Sequence, residues 1–336
     1  MIKTIRNKFG WSISRESMFD ACPRCYYFHY YLSWGGWNAS SPALCREAFK
    51  LKRLTSLPLW RGQLVHYIAT KVLASMRKNG VIPPAGKVLP YVEERFSRQL
   101  AFSLQRRYLT EPKKRGGRLD IDWLALFEHE YGRDLSPEKV ESTLEECREG
   151  TRGLLESEIL ERILGTDPAS WLIEDIDLAE FAQVFEFEGA QVFAKTDFIF
   201  RGDGGTFDIV DWKTFREKAG HGEGTEEGKA RVQLGVYGFY ASRVMREPLD
   251  SIRLHEVNLL DGGRVVEHTI DESNIDEFRG HISAGIGRLS SVLVDRDIER
   301  NEASGPGSCP KNAGPLCRYC NFYRICEDPE SPLRLE

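Results

Sequence analysis

The chain has 336 residues, 41% of them hydrophobic and 29% charged, enough apolar material for a sizeable core in one large domain or two modest ones. No apolar run reaches the ~18 residues of a membrane helix, and the start, MIKTIRNKFGWSISRESMF, lacks the apolar segment of a secretory signal, so a cytoplasmic protein with no membrane partner is expected. Net charge is −5, yet residues 1–119 hold 22 Lys and Arg against 6 Asp and Glu, and the rest is net acidic. Such an excess on one third of the chain favours a polyanionic partner over a merely solvated basic helix surface.

Residues 14–32 read as an aromatic-rich helix interrupted or bent near Pro23. A second helix is expected over 60–78, with Leu64, Ile68 and Val72 on one face, closed by Asn79–Gly80 and by Pro83–Pro84. A third spans 89–108, and EPKKRGGRLD (111–120) reads as a loop. The stretch 136–164 is helical and acidic, with Pro137 at the first helical position. Residues 181–213 then alternate with period 2 and are rich in Val, Ile and Phe. Turn signals at EGA and RGDGG divide them into three antiparallel strands, about 182–187, 190–201 and 206–213. A helix over 226–245, strands over 251–259 and 263–269 around the turn DGG, and a last helix over 271–296 follow. The Gly/Pro-rich loop SGPGSCPKNAGP leads into GPLCRYCNFYRICEDP, which packs Cys317, Cys320 and Cys326 into ten residues. The order predicts an α/β core with helical elaboration.

Chemistry concentrates in the strand region. Asp211 and Lys213 of FDIVDWKT are two apart, so on a strand they share a face. Asp197 of TDFIF lies on the preceding strand, and a meander brings the two carboxylates together. Paired carboxylates need a neutralising partner, and Mg²⁺ or Mn²⁺ favours oxygen donors. A lysine beside them can stabilise charge on a phosphoryl group or orient a water. Asp-x-Lys alone is more often a surface ion pair. Here its strand is otherwise nearly all apolar, which makes the polar residues conspicuous.

The stretch AKTDFIFRGDGGTFDIVDWKT resembles the core of the PD-(D/E)XK nuclease superfamily, of the RecB and CRISPR-adaptation type. The resemblance implies a restriction-endonuclease-like mixed β-sheet flanked by helices, with Asp197, Asp211 and Lys213 catalytic. RGQLVHYIA is similar to the family's Gly…His helix motif, which implies His66 as a metal ligand with Asp197 and Asp211. RVQLGVYGFYA is similar to its Gln-x₃-Tyr motif; Gln233 and Tyr237 lie one helical turn apart and would position the lysine, water or scissile phosphate. Arg61 and Arg231, next to these motifs, are candidate nucleic-acid contacts. The chain then reads as one nuclease domain over 1–336: a basic helical part (1–110), an acidic insert (111–180), the core (181–300) and a cysteine tail (301–336).

Eight cysteines in a reducing compartment point to metal binding rather than disulfides. SISRESMFDACPRCYYF resembles the N-terminal part of the iron–sulfur staple of these nucleases, which implies a 4Fe–4S cluster on Cys22, Cys317, Cys320 and Cys326 that clasps both chain ends around the core. Cys25 is an alternative to Cys22, and Cys309 could instead complete a local zinc site.

The expected function is a Mg²⁺- or Mn²⁺-dependent deoxyribonuclease, an exonuclease acting on single-stranded DNA or DNA ends in repair, recombination or phage defence. With no G-x₄-G-K-[ST] motif, a helicase partner would be a separate chain. The alternatives are a non-catalytic nucleic-acid-binding module with a zinc-bound tail, and a redox protein, for which no flavin or dinucleotide fingerprint is present.

Overall fold

The computed structural model describes residues 6–115, 118–133, 135–172, 183–216 and 226–327. The first strand, β1 (Gly10–Trp11), leads into α1 (Ile13–Ala21), whose N-cap Ser12 accepts a hydrogen bond from the Arg15 N–H. The chain turns at Cys22, and α2 (Pro23–Tyr27) starts on Pro23. Of the interruption or bend expected at this proline, the structure shows the interruption, a break between two helices. A π-helical turn (Phe28–Leu32) follows, and then α3 (Ala43–Leu51) and α4 (Leu57–Asn79). The last of these ends at Gly80, held at φ 69° as a left-handed C-cap.

α5 (Ala85–Leu104) begins directly after Pro84 and tolerates Pro90 in its second turn, so it starts and ends about four residues before the expected bounds. Beyond it, the expected loop 111–120 contains a two-residue hairpin, β2 (Lys114–Arg115) with β3 (Arg118–Leu119). A single turn, α6 (Phe127–Glu130), precedes α7 (Pro137–Leu155) and α8 (Glu158–Leu164), where Ser157 re-caps the chain and splits the expected 136–164 helix.

In the β region, β4 (Gln183–Phe187) and β5 (Ala190–Ala194) join through Glu188 and Gly189, both at positive φ, as a two-residue hairpin turn requires. The expected residue 182 lies outside the described residues. The continuous strand expected over 190–201 is broken: the chain leaves β5 after Ala194, bends through Lys195–Asp197, and restarts as β6 (Phe198–Arg201) in another sheet. β7 (Phe207–Lys213), α9 (Glu226–Phe239), β8 (Ile252–Asn258), β9 (Arg264–His268) and α10 (Glu272–Ser290) follow. The final helix ends six residues before the expected 296, because residues 291–292 turn, Leu293 bridges to Ala303 and Val294–Arg296 form a 3-10 turn. One more helical turn, α11 (Tyr323–Cys326), closes the described chain.

These elements make two compact units, neither contiguous in sequence. The first comprises residues 1–54, 184–194 and 279–336. Its sheet has β5 between β1 and β4, with β1 parallel to β5. Glu16 is buried there, accepting hydrogen bonds from Trp11 Nε1 and His281 Nε2, each at 3.1 Å, and pairing with Arg288.

The second unit comprises residues 55–183 and 195–278. Its sheet runs β6-β7-β8-β9: β6 antiparallel to β7, β7 parallel to β8, β8 antiparallel to β9. One face carries Phe198, Phe200, Val210, Trp212 and Val257, sealed by α4, α5, α7 and α8. Leu64, Ile68 and Val72 of α4 are buried in it, each contributing about 1.5–3 kcal/mol. The architecture is a mixed α/β fold of the restriction-endonuclease-like kind, with the parallel β7–β8 pair at its centre. Among the described residues, no helix is long and apolar enough to cross a membrane.

Candidate active site

Alternation along β7 decides which acidic residues meet. Val210 and Trp212 point into the core, so Asp211 and Lys213 point to the other face. Asp208 falls on the core side, where its Oδ1 sits 2.6 Å from Nε2 of the buried His255. This pair is no part of the Asp211 site, although FDIVD offers both aspartates equally to a reader of the sequence.

The chain break before β6 places Asp197. Its Oδ2 accepts the Trp212 N–H at 2.8 Å, and its Oδ1 lies 3.0 Å from Nδ1 of His66 on α4. Gly62, one turn earlier on α4, lets the helix pass close: a Cβ there would stand 3.0 Å from Thr214 Oγ1, just past the end of β7, and the hydroxyl would have to shift. Lys213 Nζ pairs with Asp211 Oδ2 at 2.5 Å and donates to Gln233 Oε1 at 2.8 Å. The Gln233 amide donates to Asp211 Oδ1 at 3.3 Å and to Tyr237 Oη at 2.6 Å, and Tyr237 in turn donates to the Lys195 carbonyl. Gln233 thus meets a lysine with its oxygen and a carboxylate with its nitrogen, the orientation that satisfies both. All six residues singled out from the sequence for catalysis or metal binding are in one network.

Its electrostatics are uneven. Burial and the Asp197 charge push Asp211 up to about 7, against the pull of Lys213 and His66. Burial would raise Asp197 too, but His66 and the Trp212 N–H override it and hold the carboxyl below its ordinary value. Burial opposes the charged form of His66, and Asp197 and Asp211 prevail, holding it above its ordinary range. Tyr237 is pushed well up by burial and by both carboxylates, so its hydroxyl stays a donor.

The donor set, two carboxylates and an imidazole, fits a hard divalent cation. Asp211 Oδ2 is buried and makes no aligned hydrogen bond, only its ion pair with Lys213, so a lone pair remains for a metal. Among the described residues, no three His, Cys, Asp or Glu side chains converge as a ready-made cation site. The reason is local: His66 faces Asp197, and Lys213 faces Asp211.

The sequence model of the PD-(D/E)XK nuclease superfamily matches residues 10–327. The chain belongs to this superfamily. No curated protein matches it. Members are nucleases that usually use Mg²⁺ or Mn²⁺.

Two candidate contacts fare differently. The two terminal nitrogens of Arg61 reach Glu146 of α7 at 2.5 Å and the Thr214 carbonyl at 2.5 Å, so it fastens α4 and α7 to the end of β7, while its Nε is buried without a hydrogen-bond partner among the described residues. The side chain of Arg231 lies outside the described residues. Lys195 was missed from the sequence. It is exposed, its charge reaches both Asp197 and His66, and its carbonyl is gripped by Tyr237. The only sequence signal was its place two residues before Asp197.

In the other unit, residues 21–24 lie against residues 309–312. Arg24 N–H and Nε donate to Pro310 O and Cys309 O, at 3.2 and 2.7 Å, and Asn312 donates to Ala21 O at 3.0 Å. Cys25 Sγ lies 3.9 Å from Cys320 Sγ, and Cys22 and Cys326 bear electrostatically on Cys25. The Cys320 contact, burial and these neighbours push the Cys25 thiol up, while Cys320 is pulled down. Cys317 instead faces the Asn312 carbonyl at 3.9 Å, and Cys309 is buried and pushed up to about 11 by burial. Cys25 and Cys320 thus stand in sulfur contact, while among the described residues no three cysteines converge on one metal position.

Proposed function

We propose that the protein is a divalent-metal-dependent deoxyribonuclease that hydrolyses phosphodiester bonds in single-stranded DNA or at DNA ends, as an exonuclease. The observation that carries this reading is the gathering of His66, Asp197, Asp211 and Lys213 in one network, where burial first and the Asp197 charge second push Asp211 up to about 7 despite Lys213 beside it. A buried carboxylate pair of this kind calls for a cation. His66, Asp197 and Asp211 would hold Mg²⁺ or Mn²⁺, which supplies charge at the phosphoryl oxygens and acidifies the attacking water. Lys213 presents its ammonium to the developing negative charge, and Gln233 fixes that ammonium in place. Tyr237 locks Gln233 and the Lys195 backbone, and Lys195 offers an exposed cation for a neighbouring phosphate.

A 4Fe–4S cluster on Cys22, Cys317, Cys320 and Cys326, with Cys25 as the alternative to Cys22, fits a clasp role that joins the chain ends. An unwinding partner would be a separate helicase. The test is incubation with end-labelled single-stranded DNA, duplex and RNA, with Mn²⁺ or with chelator. Metal-dependent shortening of the single-stranded or end-bearing DNA is expected; cleavage of none under either metal would refute the reading. Anaerobic purification with iron, sulfide and zinc analysis tests the cluster. A brown protein that Cys22→Ala or Cys25→Ala bleaches is expected, and a colourless zinc protein would replace that part.

A further inference from the structure

The turn between the π-helical segment and α3 holds an aromatic cluster that the catalytic site does not use. Trp37 stands 49% exposed, with its ring edge-on to Trp34 (centroids 5.1 Å, 85°) and to Phe49 of α3 (5.9 Å, 69°). A large apolar ring left half in water normally sits on a loop free to fold it away, but this turn is clamped. Gly35 has φ +84°, and a Cβ on Gly36 would lie 2.4 Å from Phe49 Cβ and 2.5 Å from the Cys45 carbonyl. Cys45 Sγ meets the Trp34 carbonyl at 3.2 Å, Ser41 Oγ donates to Gly35 O at 2.7 Å, and Asn38 N–H donates to the same oxygen at 2.9 Å. The fold holds Trp37 in water.

Positive charge gathers around the cluster. Lys52 Nζ lies 5.7 Å and the Arg53 guanidinium carbon 5.4 Å from the Phe49 ring centre, and Lys50 is exposed one residue from Phe49. Glu47, the carboxylate of α3, is shared between Arg324 at 2.9 Å and Lys50 at 3.5 Å. Burial, Arg15 and Arg53 together push Lys52 down, and burial with the positive field of Lys52 and Arg15 holds His29 at about 4. A half-exposed indole beside a group of cations matches a ligand carrying both π-faces and negative charge. Bases stack on aromatic side chains while lysines and arginines follow the phosphates.

We propose that Trp37, supported by Trp34 and Phe49 and flanked by Lys50, Lys52 and Arg53, is a stacking platform for a single-stranded nucleic acid. The inference rests on the nuclease reading for its biological sense and deepens it, since a duplex offers no unstacked base to the ring.

The experiment is fluorescence anisotropy in chelator with labelled oligo(dT), oligo(U) and a matched duplex, on wild type, Trp37→Ala and Lys50→Ala. Loss of one stacked base should weaken single-strand binding roughly tenfold for Trp37→Ala, with duplex binding little changed. Lys50→Ala should lower the salt slope by about 0.7, one single-strand phosphate. An unchanged melting temperature shows that each variant is folded. Oligo(dT) affinity within about twofold of wild type in Trp37→Ala would overturn the platform, and equal loss on the duplex would overturn its single-strand character. Absence of oligonucleotide binding by wild type would overturn it in favour of a protein partner. Mn²⁺-dependent cleavage by wild type, run in parallel, tests the nuclease reading separately.

Discussion

Replacing Asp211 with asparagine should stabilise the metal-free protein at pH 8. The carboxyl is raised from an ordinary 3.8 to about 7, by burial first and by Asp197 second. A raised carboxyl contributes fully to stability below its unfolded value and loses that contribution as pH climbs to the folded one. Ionisation between about pH 4 and pH 7 therefore works against the fold. A tenfold change in proton affinity corresponds to ~1.4 kcal/mol, so the rise from 3.8 to about 7 sets an upper bound near about 4 kcal/mol. Relaxation and water entry reduce it, leaving about 2 kcal/mol, or about 4 °C or more in Tm. Asparagine is isosteric and keeps an oxygen for the Gln233 amide. Thermal unfolding in chelator at pH 8 and pH 5 reads the effect. Asp211→Asn should melt above wild type at pH 8, converge with it at pH 5, and gain nothing from Mn²⁺, whereas wild type should gain. A variant less stable than wild type at pH 8, or a difference that does not shrink on acidification, would refute the crowded-carboxylate argument.

Because a proton and the cation compete for Asp211, apparent Mn²⁺ affinity by calorimetry should fall about tenfold per pH unit below pH 7; a flat profile would contradict this. Gln233→Ala removes the partner that fixes Lys213 Nζ at 2.8 Å. It should lower kcat about 10²-fold with unchanged metal affinity, and loss of metal binding instead would show that Gln233 acts elsewhere. Gly235→Ala would put a Cβ 2.0 Å from the Phe278 ring, so a loss of about 1–3 kcal/mol is expected in denaturant unfolding. Glu16→Ala strands the Trp11 N–H and an arginine, and should cost about 1–3 kcal/mol by the same measurement.

Periodicity made part of the candidate site legible, and the family resemblance singled it out. Asp211 and Lys213 share a strand face, and Gln233 and Tyr237 share a helix face one turn apart. Family resemblance supplied what periodicity could not, the long-range link to His66. The break at Lys195–Asp197 was not legible. QVFAKTDFIF contains no glycine or proline and alternates well enough to read as one strand, and what stops it is tertiary: the Lys195 carbonyl is claimed by Tyr237 and Asp197 is held by Trp212. Arg61 looked available for phosphate because its partners, Glu146 and Thr214, lie far off in sequence. The same limit applies to the thiols. Spacing alone did not reveal that Cys25, not Cys22, would stand in sulfur contact with Cys320 of the tail, or that Cys317 would face a carbonyl instead.

The most direct test of the central claim separates metal binding from chemistry at one residue. Mn²⁺ titration by calorimetry and single-turnover cleavage of labelled single-stranded DNA would be measured on wild type and Lys213→Ala. The account predicts that wild type binds Mn²⁺ and cleaves, while Lys213→Ala binds Mn²⁺ at least as well, having lost a competing cation on Asp211, and does not cleave. Cleavage by Lys213→Ala at the wild-type rate, or cleavage by wild type in chelator, would contradict it.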